Sequence, residues 1–188
     1  FDIDEIKLGE KLGCGGFSDV YEVVAFQYND SHNRRIKQKH QEARGELTRL
    51  AMDGRIAIKF LKKDLMIDYK KFNTAANGLE SEADILHRLD HPNILKIRGW
   101  ATDGFSAYEK FKRHDGYFLL MDRLQQTLSD RIEEWKGLVD SVVCDKDYAK
   151  IQRKMMLEKL EIARDIASAL EYLHKKRYIF MDLKPENV

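Results

Sequence analysis

Ile6, Leu8 and Leu12 stand among polar neighbours near the start of the chain, the alternation of a half-buried strand. A second strand-like run covers Tyr21 to Phe26, and the segment between them, Leu12-Gly-Cys-Gly-Gly-Phe-Ser-Asp-Val20, concentrates glycine. Strand, glycine turn and strand predict a β-hairpin whose glycines let backbone N–H groups approach an anion. Arg55 to Leu61 is a third strand, with Ala57, Lys59 and Leu61 on one face and Ile56, Ile58 and Phe60 on the other. The period then changes. Leu79, Ala83 and Leu86 recur at helical spacing, with Ile85 and Leu89 beside them, and predict a helix over 79–89. Ile94 to Ala101 and Tyr117 to Met121 read as two further strands joined by a polar, glycine-containing loop.

Thr127-Leu-Ser-Asp130 has the form of a capping box and predicts a short helix through Trp135. Later, Met156, Leu160, Ala163, Ala167, Leu170 and Leu173 trace one helical face, and Met155, Leu157, Ile162, Ile166 and Ala169 widen it. A helix apolar over so much of its circumference requires protein cover on several sides. Pro185 forbids a simple helical continuation, so Tyr178 to Val188 reads as a loop. Two charged stretches, Asn29 to Arg55 and Lys136 to Ala149, read as surface loops, the first with room for a short surface helix.

Composition narrows the class. At 188 residues the chain is long enough for the core of one domain or two small lobes. Hydrophobic residues at 43% and charged ones at 35% describe an ordinary globular protein. A net charge of +1 provides no whole-chain field for nucleic acid or an anionic membrane, so neither is expected as a partner. Two cysteines, Cys14 and Cys144, do not make a disulfide framework and favour a reducing compartment, cytoplasmic or nuclear. The apolar run at Tyr117 to Met121 is too short to span a bilayer, and the opening residues lack the form of a signal peptide. The chain begins without methionine and stops one residue after Asn187, and so reads as an excerpt.

The densest chemistry lies in the last loop, where Asp182, Lys184 and Asn187 form an Asp-x-Lys-x-x-Asn pattern. A carboxylate can accept a hydroxyl proton, an ammonium can offset phosphoryl charge, and an amide oxygen can ligate magnesium. Here the chain resembles the eukaryotic protein kinases, and the resemblance extends upstream in fixed order through the glycine turn, Ala57-x-Lys59, Glu82, His91-Pro-Asn and Met121. It implies an α+β fold, with a five-stranded antiparallel N-lobe sheet and an αC helix over 1–121. A hinge at 122–124 follows, then the first helices of a C-lobe over 125–188. Within that frame Asn29 to Arg55 is an insertion, either a solvated surface segment or, through Arg34, Arg35, Lys37, Lys39, Arg44 and Arg49, a docking site for an acidic partner.

The resemblance also implies roles. Leu12, Gly13, Cys14, Gly15, Gly16, Phe17, Ser18, Asp19 and Val20 would cover the phosphates of ATP, with Ser18 where the family has its third glycine. Lys59, held by Glu82, would orient those phosphates. Ala57, Met121, Asp122 and Leu124 would enclose and read the adenine, and Asn187 would ligate Mg2+. Asp182 would receive the proton of a protein serine or threonine hydroxyl, and Lys184 marks the serine/threonine branch. Phe180 and Met181 replace the family's usual histidine and arginine. The Asp-Phe-Gly segment that supplies the principal magnesium carboxylate is missing from these residues. The expectation is therefore a serine/threonine kinase domain with negligible activity and limited solubility as a fragment. The competing readings are a pseudokinase or regulatory binding module, a small-molecule kinase of similar fold, and a dinucleotide-dependent oxidoreductase. The last needs a helix directly after the glycines, where none is readable.

Overall fold

In the computed structural model, described over residues 1–28, 38–141 and 145–188, five strands form one antiparallel sheet. They are β1 (Ile6–Cys14), β2 (Ser18–Phe26), β3 (Ile56–Leu61), β4 (Ile97–Trp100) and β5 (Phe118–Asp122), in the order β1-β2-β3-β5-β4. The alternating runs of the sequence become these strands, with boundaries moved inward for β4 and one residue on for β5. The Gly15 N–H donates to the Ser18 carbonyl at 2.7 Å and closes the β1–β2 hairpin. In β3 every residue except Lys59 is buried, so both faces of this central strand are covered.

The cover comes from two helices. Helix α1 (Gln38–Met52) lies within the stretch expected to be a surface loop or a short surface helix; a helix is present, and the correction is that one face of it is not solvated. Leu47 and Ala51, at i and i+4, are buried in the sheet's core, and α1 packs chiefly on β2. Arg44 of α1 is a nearly buried partner of Glu5, at 3.3 Å, and its guanidinium lies 4.5 Å from the Tyr28 ring centroid. That cation serves the fold and not an acidic docking partner. Arg34, Arg35, Lys37 and the Lys39 side chain lie outside the described residues.

Helix α2 (Tyr69–His87) covers the other face through Ala75, Ala76, Leu79 and Ala83. It begins well before Leu79 because the Asp68 carboxylate caps it, accepting from the Lys70 and Lys71 N–H groups at 3.1 Å each. The faces are distinguishable by register: Glu82 of α2 reaches Lys59, whereas Glu46 of α1 reaches Arg98, whose partner Asp122 stands opposite Ile56. A short helix, α3 (Ala107–Phe111), occupies part of the loop before β5.

The chain divides into two units, Phe1–Asp90 with Leu95–Arg123, and His91–Ile94 with Leu124–Val188. The second unit holds α4 (Leu128–Asp140) and α5 (Asp145–Lys175). The capping box is present: the Thr127 hydroxyl accepts from the Asp130 N–H at 3.1 Å, and the Asp130 carboxylate accepts from the Thr127 N–H at 2.9 Å. Trp135 is buried and donates its indole N–H to Glu158 at 3.1 Å, while Arg131 pairs with Glu158 at 2.6 Å. Lys136 to Ala149 is not a loop: α4 runs on to Asp140 and α5 starts at Asp145. Cys144, between them, lies outside the described residues. On α5, Met155 is buried but Met156, Leu157 and Leu160 are more than half exposed. Among the described residues, no helix is long and apolar enough to cross a membrane.

Candidate functional site

In the first unit, β-strand register assembles one candidate surface. Lys59 stands between Val20 of β2 and Leu119 of β5, and Ala57 stands beside Met121. Residues directly opposite in a ladder share a face, so Val20, Ala57, Lys59 and Met121 project together. Ala57 and Met121 are both buried, whereas the Lys59 ammonium keeps partial solvent access. That ammonium is gripped by both oxygens of Glu82, at 2.7 and 2.6 Å. A cation held in this bidentate way is fixed in position but still has hydrogen-bonding capacity for a further anion.

The β1–β2 turn projects from the same hairpin. Gly13 and Gly16 do not have positive φ angles, and a Cβ built on either would meet nothing within 4 Å. Neither backbone strain nor internal packing therefore explains glycine at these two positions. Phe17 and Cys14 at the tip are exposed, while Leu12 and Val20 pack on the core as partly buried residues. Asp19 pairs with Lys11 at 2.9 Å across the hairpin. Ser18 contributes the carbonyl that closes the turn.

The end of β5 is tied down on both sides by cations that carried no sequence motif. Arg98 of β4 donates to both carboxylate oxygens of Asp122, at 2.7 and 3.0 Å. Arg123 pairs with Glu22 and, at 3.3 Å, with Glu10, and its N–H donates to the Arg55 carbonyl at 2.8 Å. Gly9 makes the Glu22 arrangement feasible, since a Cβ there would come within 2.6 Å of the Glu22 carboxylate. The only hint of these ties in the sequence is a charged residue at the polar position of an otherwise apolar strand. Leu124, the last of the expected adenine-site residues, is exposed and opens the second unit.

In the second unit Asp182, Lys184 and Asn187 meet. The Asn187 amide donates to the Asp182 carbonyl and to its Oδ2, each at 2.8 Å, and Lys184 Nζ lies 3.0 Å from the same Oδ2. The 3-10 turn at Pro185–Asn187 brings the amide back over the acid. The Lys184 ammonium, and then the Asn187 amide, hold the Asp182 carboxyl below its ordinary value. It is thus ionised at neutral pH, as a proton acceptor must be. His91 packs in this unit: the Asn93 N–H donates to Nδ1 at 3.1 Å, which leaves Nε2 to donate to the Ser168 hydroxyl at 3.2 Å. The Asn187 side-chain carbonyl is a hard oxygen donor of the kind magnesium takes, while Asp182 Oδ2 is engaged by Asn187 and Lys184 and Oδ1 is the oxygen that can meet a hydroxyl. Among the described residues, no cluster of three or more His, Cys, Asp or Glu side chains could hold a metal.

Comparison with known proteins adds the family. A family model described as the protein kinase domain matches residues 46–188. The chain is 27% identical to an Aurora kinase of Saccharomyces cerevisiae, over 99% of this chain and 36% of that protein. It is 28% identical to the inhibitor of nuclear factor kappa-B kinase subunit beta of Mus musculus, over 97% of this chain and 18% of that protein. To calcium-dependent protein kinase 4 of Plasmodium falciparum it is 28% identical, over 95% of this chain and 28% of that protein. The chain thus spans about a third or less of the length of these relatives.

Proposed function

The chain belongs to the protein kinase domain family, and from that premise we propose that it binds ATP and serves transfer of the γ-phosphoryl group to a serine or threonine hydroxyl of a protein. The observation that carries the proposal is the Lys59–Glu82 grip, placed by register beside Val20, Ala57 and Met121. A fixed ammonium next to an apolar, strand-lined surface suits a ligand with an anionic tail and a flat apolar head. Glycines at 13 and 16 that nothing internal requires support the same reading, because a triphosphate lying against the turn would supply the missing reason.

The roles divide by unit. In the first, Leu12 to Val20 covers the phosphates, Lys59 orients them and Glu82 orients Lys59. Ala57 and Met121 flank the adenine, and the backbone of Asp122 and Arg123 reads its edge. In the second, Asp182 receives the acceptor hydroxyl's proton and Lys184 offsets charge on the transferring group. An acid held below its ordinary value is a weak base. Its part is therefore to aim the hydroxyl and take the proton late, as a loose phosphoryl transition state allows. Asn187 would hold magnesium through its side-chain carbonyl, and the ion when bound neutralises phosphate charge. One amide oxygen holds such an ion weakly, so these residues alone should transfer phosphate only negligibly.

The test is ³²P transfer from γ-labelled ATP by the protein that carries these residues, with phosphoamino-acid analysis of the product. Asp182→Asn should lower turnover about 10²–10⁴-fold while leaving ATP affinity nearly unchanged. Nucleotide binding without transfer would favour the regulatory-module reading, and phosphotyrosine in the product would refute the serine/threonine assignment.

A further inference from the structure

The inserted helix α1 does more than cover the sheet. Its Glu46 Oε1 lies 3.6 Å from Arg98 Nη1, and Arg98 in turn grips both oxygens of Asp122 at 2.7 and 3.0 Å. Arg98 is therefore shared between α1 and the last residue of β5. Its exposure (22%) is low enough that the guanidinium is not simply solvated, and Asp122 is only partly exposed. Two main-chain hydrogen bonds hold the same segment: the Asp122 N–H donates to the Lys96 carbonyl at 3.2 Å, and the Arg123 N–H to the Arg55 carbonyl at 2.8 Å. Arg55 lies just past the C-terminus of α1, whose Leu50 carbonyl accepts the Arg55 N–H at 2.8 Å. Side chain and backbone thus connect α1 to one short stretch of strand by two independent routes.

We propose that Arg98 is a positioning residue for the nucleobase, and that through Glu46 the inserted helix α1 biases the conformation of the Asp122–Arg123 backbone. This rests on the nucleotide reading given above, in which that backbone pairs with the adenine edge. The Asp122 carboxylate faces the α1 side of the sheet, opposite Ile56, and so does not itself meet a ligand beside Ala57 and Met121. Its work is to fix the direction of its own main chain. A planar guanidinium suits that purpose, since a fork of two parallel bonds sets orientation as well as distance. Glu46 is exposed and its contact long, so its share is the smaller one.

The experiment separates base from phosphate. Adenosine and magnesium tripolyphosphate are titrated separately into the unsubstituted chain and into Arg98→Met, Arg98→Lys and Glu46→Gln. Adenosine affinity should fall about tenfold in Arg98→Met, within the usual range for coupling between sites, and about twofold in Glu46→Gln. Arg98→Lys should recover part of the loss. Tripolyphosphate affinity should not change. Unaltered adenosine affinity in Arg98→Met overturns the proposal, and so does an equal loss for both ligands, which would mark a general structural defect. If the unsubstituted chain binds adenosine nowhere, the nucleotide reading itself falls. If it binds and the variants match it, only the coupling through Arg98 falls.

Discussion

Glu82→Gln removes one negative charge from the Lys59–Glu82 grip while keeping the size of the side chain. In the native pair both oxygens lie within 2.7 Å of Nζ, and the side chains are 21% and 36% exposed. A charge-assisted hydrogen bond contributes roughly 1.5–3 kcal/mol when well sheltered, whereas exposed ion pairs contribute about 0–1 kcal/mol. Partial exposure and salt screening place this pair near the lower figure, at about 1 kcal/mol. If that energy holds the ammonium where phosphate meets it, ATP affinity should fall about fivefold, since about 1.4 kcal/mol corresponds to tenfold. The assay is calorimetric titration with ATP, alongside thermal denaturation and adenosine binding. ATP affinity should drop while adenosine affinity holds. A fall in Tm with unchanged ATP affinity would refute the reasoning, since the pair would then be a structural tie only.

Gly16→Val should change stability by no more than about 0.5 kcal/mol, because a Cβ there meets open space, yet it should weaken ATP binding; denaturation and titration on one sample check both. Arg44→Met leaves Glu5 buried without its cation and should destabilise the first unit by about 3 kcal/mol, measurable by urea unfolding. The Thr127 N–H and hydroxyl hold the Asp130 carboxyl below its ordinary value. The cap therefore stabilises α4 above the ordinary aspartate range and is lost as pH falls through the lowered value. An NMR titration of Asp130 should find its midpoint below that of a free aspartate.

The parts most legible in the sequence were those whose pattern is local. Period two marked β3 and put Lys59 on the face with Ala57, and the family resemblance implied Glu82 as its partner, which the fold brings within 2.7 Å. The core-facing side of helix α1 escaped because Leu47 and Ala51 sit among lysines, arginines and glutamates that read as solvated surface. Arg44 changes meaning only once Glu5 and the Tyr28 ring are folded around it. The same charge density hid the end of α4 and the start of α5. At α2 the first buried positions are alanines, Ala75 and Ala76, too small to draw a hydrophobic stripe, and the decisive signal was the Asp68 cap. Arg98 and Arg123 were illegible for another reason: an ion pair across strands far apart in sequence has no spacing to recognise.

The most direct test of the nucleotide reading is an amide NMR spectrum of the chain titrated with a non-hydrolysable ATP analogue and magnesium. Resonances of Gly13, Gly15 and Gly16 should shift together and saturate, and Lys59→Met should sharply reduce the effect. Glycine resonances that stay in place while the analogue is in large excess would contradict the account.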